Sequence, residues 1–230
     1  MTSTILKPYS PPPLQYSNVA DSMAPSAYAD ASKQTQIHFV RHGETAWSLS
    51  GQHTGLTDID LTEHGEQQAR ALMPMLRQFT FSRVFTSPRL RARRTCKLAE
   101  LGTLVEIDPN LAEWDYGEYE GRRTADILVQ RPGWSIWRDG CPGGEMPDEV
   151  SARADRVIAR LSALQSDIAV FSHGQFGAAL AARWINLPIE AGQHLPLHPA
   201  SLSILGHDTR HGARRVISLW NQTLTSCGNG

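Results

Sequence analysis

QIHFVRHG, residues 36–43, joins two pieces of unlike chemistry. Residues 36–40 form a short apolar run of strand character, and the run stops at Arg41, His42 and Gly43. A strand that ends on a guanidinium, an imidazole and a residue free to turn is aimed at a ligand. The pattern repeats along the chain. RVFTS (83–87) is a second strand running into Thr86-Ser87-Pro88, LVEID (104–108) is a third that leads to Glu113, and IAVFSH (168–173) is a fourth ending in Ser172-His173-Gly174. Helical spacing fills the gaps. LTEHGEQQARALMPMLRQF (61–79) has Thr62 as N-cap, and PRLRARRTCKLAEL (88–101) has Pro88 in its first turn. DEVSARADRVIARLSALQ (148–165) is amphipathic, and FGAALAARWI (176–185) is a helix of small residues. SLSILGH (201–207) and RRVISLWN (214–221) read as two more strands, a hairpin.

Strand–helix alternation predicts a three-layer α/β/α domain with a mostly parallel central sheet. Ligands of such sheets bind beyond the carboxyl ends of the strands. Two histidines, His42 and His173, several arginines including Arg41 and Arg91, and a carboxylate converge there. The domain is expected over residues 35–222, after a Pro-, Ser- and Ala-rich arm (1–34) and before a short tail (223–230). A net charge of -1 argues against a general nucleic-acid or membrane-surface protein. Three cysteines without CxxC spacing read as free thiols in a reducing cytosol. No apolar run reaches the roughly 18 residues of a membrane span. The expectation is a cytoplasmic protein.

Arginines near helix N-termini suit a dianionic ligand, because the guanidinium fork matches phosphate oxygens. A neutral imidazole among them can attack phosphorus. An acid must protonate the departing alkoxide and later take a proton from water. EWDYGEYE (113–120) offers four acids for that role, and spacing does not choose among them. His38 and His42 have the interval of a helical zinc pair, but their segment reads as strand. There is no Walker A motif and no GxGxxG, so neither metal nor cofactor is expected.

Four segments, RHGETAWSLSGQHTGLTDIDLTEHGEQQA (41–69), TSPRLRARRT (86–95), LAEWDYGEYEG (111–121) and FSHG (171–174), together resemble the histidine phosphatase superfamily in its phosphoglycerate mutase-like branch. The resemblance covers most of residues 36–220. It implies that His42 is the phosphorylated nucleophile, that Arg41, Arg91 and His173 complete the phosphate pocket, that Glu113 is the proton donor, and that no metal is needed. SGQHTGLTDIDLT, EWDYGEYEG and WSIWRDGCPGGE look like the sedoheptulose-1,7-bisphosphatase type of sugar phosphatase. Ser48 stands where many mutases carry Asn, a departure shared with that type. Mutases also tend to carry a longer insertion with extra basic residues. Here Arg122, Arg123, Arg131 and Arg138 are the candidates for a second phosphate. Ser48, Gln52, Thr54, Gly55 and Gly174 are expected at the substrate, with Arg138 and Trp137 closing the mouth.

The expected activity is a metal-independent phosphomonoesterase acting on a small phosphorylated metabolite. Mutase-type transfer, a phosphoprotein phosphatase and a non-catalytic phospho-ligand binder are the alternatives. The sequence leaves a homodimer open.

Overall fold

A computed structural model describes residues 34–223. Apart from their residues 34 and 223, the proposed arm and tail lie outside the described residues. Six strands form one sheet: β1 (Gln36–Arg41), β2 (Arg83–Thr86), β3 (Val105–Ile107), β4 (Asp167–Ser172), β5 (Leu202–Asp208) and β6 (Arg214–Gln222). Their order is β3-β2-β4-β1-β5-β6. The first four are parallel, and β5 and β6 add an antiparallel hairpin beside β1.

The helices are α1 (Ala46–Ser50), α2 (Glu63–Ala71), α3 (Met73–Leu76), α4 (Leu90–Leu98), α5 (Thr124–Gln130), α6 (Ile136–Asp139), α7 (Pro147–Ser162) and α8 (Gly174–Trp184). No helix among the described residues is long and apolar enough to cross a membrane. The central strand β4 is apolar over Ile168–Phe171 because both of its faces are covered. Ile168 and Val170 join Phe39, Val157, Leu161 and Phe176 in one core. Ala169 and Phe171 join Val40, Leu72, Leu76 and Cys96 in the other. The alternation along β4 thus sends helices to both faces and makes the three layers.

α8 lies close to the sheet because its residues are small. At Gly177 a Cβ would come within 2.4 Å of the Phe39 ring. The expected helix over 61–79 is broken instead into α2 and α3, with Pro74 in the first turn of α3. Proline supplies no N–H and its ring clashes with the preceding turn, so one continuous helix fails there. The segment 113–146 carries α5, α6 and a 3-10 turn, Gly117–Tyr119, that apolar periodicity did not signal.

His38, on β1, is buried with its ring centroid 4.3 Å from that of Phe79 and 5.0 Å from that of Phe81. Neither ring nitrogen has a hydrogen-bond partner among the described residues. Burial lowers its pKa from 6.5 to about 4, against a smaller upward pull from Asp167. Between those values the unfolded chain binds a proton that the folded protein does not. Stability should therefore fall as pH drops from about 6.5 toward 4. Urea denaturation at several pH values should show this slope, and His38→Leu should flatten it by up to about 1.4 kcal/mol per pH unit.

Candidate active site

Arg41 on β1 is in parallel register with Ser172 on β4, and His42 N–H donates to the Ser172 carbonyl at 3.0 Å. The next residues, His42 and His173, therefore leave the sheet side by side. Their ring centroids are 5.2 Å apart in an edge-on arrangement. His42 Nδ1 lies 2.7 Å from the Gly43 carbonyl. A carbonyl only accepts, so Nδ1 carries the proton and Nε2 keeps its lone pair. His173 Nε2 lies 2.7 Å from Ser87 Oγ, which already accepts the Arg89 N–H at 3.2 Å. The Ser87 hydroxyl has no other acceptor among the described groups, so the arrangement that uses its proton has it donating to Nε2, with the His173 proton on Nδ1. That Nδ1 is buried with no partner among the described residues.

Two arginines flank the histidines, Arg41 half-buried and Arg91 fully buried. Arg41 Nη1 donates to the Leu197 carbonyl, and its Nε has no partner. At Gly174 a Cβ would stand 3.3 Å from the Arg41 guanidinium, so glycine leaves room for it. Arg91, in the first turn of α4, is fully buried. Its Nη1 donates to Thr57 O (3.0 Å) and its Nη2 to Thr54 O (2.8 Å) and Gly55 O (3.2 Å), while Nε is unpartnered. Arg41 Nε, Arg91 Nε and His173 Nδ1 are thus three donors with no partner among the described residues. Orphan buried donors are rare, and a cluster of them beside a lone pair suits an anion.

Burial, then Arg91 and Arg41, hold the pKa of His42 well below 6.5. Burial, then Arg91, His42 and Arg41, do the same for His173. Both imidazoles are neutral at physiological pH.

Glu113 follows a 3-10 turn, Pro109–Leu111, beyond β3. Its Oε1 accepts the N–H groups of Trp114 (2.9 Å) and Phe176 (2.7 Å), and its Oε2 accepts that of Gln175 (3.0 Å). The carboxylate sits on the open first turn of α8, where free N–H groups favour an acceptor. Arg153 of α7 braces this turn. Its Nη1 donates to Asn110 O (2.9 Å) and Ala112 O (2.7 Å). Its Nε and Nη2 bind the Glu145 carboxylate at 2.8 and 2.7 Å, and its guanidinium lies over the Phe176 ring at 4.3 Å. Sequence reasoning missed this pair. The one signal was a cation beside the apolar stripe Val150, Ala154, Val157 and Leu161.

These groups border a cavity of about 400 Å³. Arg41, His42, Glu113 and Gly174 line it, and Arg91 and His173 are fully buried. Ser48, Gln52 and Thr54 also line it, with their side chains already engaged. Ser48 Oγ accepts Thr45 N–H at 2.9 Å and donates to Thr45 O, in a capping box for α1. The Gln52 amide donates to Gly121 O (2.8 Å) and accepts from Ser50 Oγ (2.6 Å), and Thr54 Oγ1 donates to Gln52 O.

Two expected substrate residues do not line the cavity. Gly55 N–H is taken by the Glu120 carboxylate, and a Cβ there would meet Trp114 O at 2.5 Å. Its role is close packing of the loop. Arg138 faces Asp139 at 2.8 Å and donates to Gly133 O, so it does not close the mouth. Trp137 does line the cavity, as do Tyr116 and His53. Among the described residues no group of three or more His, Cys, Asp or Glu is placed to hold a metal ion.

Residues 37–223 match the Histidine phosphatase superfamily (branch 1). The chain is 42% identical over 188 residues to an acid phosphatase of Mycobacterium tuberculosis, covering 80% of this chain and 91% of that one. It is 40% identical over 184 residues to a sedoheptulose 1,7-bisphosphatase of Saccharomyces cerevisiae, covering 66% of this chain and 68% of that one. A solved structure of an open reading frame product of Mycobacterium tuberculosis superposes with a TM-score of 0.77 at 39% identity, over 82% of this chain and 98% of that one. The motifs at the ends of β1 and β4 fall within the matched span, and the chain belongs to the histidine phosphatase superfamily.

Proposed function

We propose that the protein hydrolyses small phosphate monoesters, sugar phosphates foremost, through a phosphohistidine on His42. The observation that carries this reading is the unshared lone pair of His42 Nε2 beside the three unpartnered donors of Arg41, Arg91 and His173. The donors take the phosphate oxygens. Nε2 attacks phosphorus, the P–O bond to the alcohol breaks, and protonated Glu113 gives its proton to the departing alkoxide. The Gly43 carbonyl, already bonded to Nδ1–H, stabilises the cationic imidazole that forms. A water then attacks phosphorus and yields a proton to the Glu113 carboxylate. The N–P bond breaks, and inorganic phosphate leaves. Oε2, with one N–H bond against two on Oε1, is the oxygen with room for the proton.

The same names support the reading from outside: relatives called acid phosphatase and sedoheptulose 1,7-bisphosphatase share the family. A cavity of about 400 Å³ suits a metabolite better than a protein side chain on its backbone. A cytoplasmic setting belongs to the same proposal, supported by Cys96 and Cys141, which are buried free thiols.

His42→Ala should lower kcat/KM by about 10³-fold or more and abolish the phosphorylated peptide seen by mass spectrometry after rapid quench. EDTA should leave wild-type rates unchanged, and a loss restored by magnesium would sink the mechanism. Glu113→Gln should cost about 100-fold or more in kcat with alkyl phosphates and far less with p-nitrophenyl phosphate, whose leaving group needs no proton. An equal loss with both would remove Glu113 from the acid role. Arg153→Met should destabilise the fold by about 3 kcal/mol and lower kcat more than it raises KM, since it frees the turn that carries Glu113. Calorimetry and steady-state kinetics check both parts.

A further inference from the structure

Apart from Arg41, His42 and Glu113, the described residues that line the cavity carry no formal charge. Among the described residues Arg41 is the one guanidinium lining it, and Arg91 is fully buried. Other arginines that the sequence offered for a second phosphate are spent elsewhere. Arg122 donates to Gln130 Oε1 at 2.8 Å, and Arg123 pairs with Asp126 at 2.8 Å. Arg138 pairs with Asp139 at 2.8 Å, and Arg131 is exposed. None of the four lines the cavity.

Amides and aromatic rings line it instead. Gln175 and Gln193 border the cavity with side-chain amides that no other described group holds. An amide both donates and accepts, which suits hydroxyl groups. His53 stacks on Tyr116 with centroids 4.6 Å apart and rings 25° from parallel, and Trp137 adds a third ring. Burial lowers the His53 pKa to about 4, so this imidazole adds no cation at neutral pH. Flat rings pack against the C–H face of a polyol. A second phosphate or a carboxylate would lose its water there with no guanidinium or ammonium to replace it.

From this wall we infer that the enzyme selects monophosphates of uncharged, hydroxylated alcohols over bisphosphates and phosphoglycerates. The inference rests on the phosphatase reading above. It separates this chain from its yeast relative, whose name is that of a bisphosphatase. It also disfavours mutase-type transfer, because a phosphoglycerate has a carboxylate to hold.

The test uses the full-length chain, so that residues 1–33 are present. Phosphate release is measured on two matched pairs: fructose 6-phosphate against fructose 1,6-bisphosphate, and glycerol 3-phosphate against 3-phosphoglycerate. The monophosphate with the neutral body should win in each pair by about tenfold or more in kcat/KM, carried mainly by KM. Equal or faster turnover of the doubly charged members would overturn the inference. Gln193→Arg should then narrow the fructose pair by about fivefold or more, as a fork placed on the wall meets the second phosphate. A ratio that does not move would remove that wall from selection. p-Nitrophenyl phosphate keeps the two readings apart. If it and every other ester stay intact, the phosphatase reading itself falls. If it is hydrolysed through His42 while the bisphosphate wins, only the inference about the wall falls.

Discussion

The pairing of Arg41 with Ser172 across β1 and β4 is the constraint on which the site depends. Parallel neighbours in register end at the same height, so two residues 131 positions apart in the chain, His42 and His173, emerge as a contacting pair. Both are buried beside Arg41 and Arg91, and burial and positive charge act in the same direction on an imidazole. Each ring stays neutral, and each has one nitrogen occupied, by Gly43 O or by Ser87 Oγ. What remains is one lone pair and one N–H, which is what a nucleophile and an anion donor require. A slip of one residue in this register would turn the ends of the two strands to opposite faces and dissolve the pair.

The first turn of α8 performs the second service. Its N–H groups at Gln175 and Phe176 fix Glu113, and Gly174 leaves space for Arg41. An acid and a cation are thereby set against the same helix end without touching as an ion pair. The arrangement needs α8 close to the sheet, which its glycine and alanines allow. It also needs the 109–115 turn held from behind. Arg153 and Glu145 do this with hydrogen bonds to Asn110 O, Ala112 O and Asp115 N–H. Such a buried network is sensitive: each lost member leaves another unsatisfied.

The sheet, its helices on both faces and the strand-end residues were legible because they are periodic or sit where periodicity stops. The choice of acid was not. In EWDYGEYE the four carboxylates have four fates. Glu113 binds α8, Asp115 accepts Gly117 N–H, Glu118 is exposed, and Glu120 binds Gly55 and Thr57 N–H. Only the path of the backbone separates them, and residue type is silent about that path. Arg153 was hidden for the same reason: two of its partners are carbonyls, which every residue has, and residue type does not pair it with Glu145 over the other acids. Arg138 pairs with Asp139 and does not line the cavity, although its neighbour Trp137 does. One residue of helix turn sends neighbouring side chains in different directions.

Gly55 shows how a residue can serve the site without lining it. The loop through residues 54–57 is held on two sides. Glu120 takes the N–H groups of Gly55 and Thr57, and Arg91 takes the carbonyls of Thr54, Gly55 and Thr57. The backbone must run within packing distance of Trp114 O to satisfy both, and only a residue without Cβ fits there. The consequence falls on Arg91. Three of its four terminal N–H groups are spent on the loop, and Nε with the second Nη1–H is left for an anion. Its charge is fixed in place before any ligand arrives, so a bound phosphate meets a donor that need not reorganise. That is the condition under which a hydrogen bond contributes most to a transition state. The loop that borders the cavity and the buried Arg91 cation are therefore one unit, and neither can shift without the other.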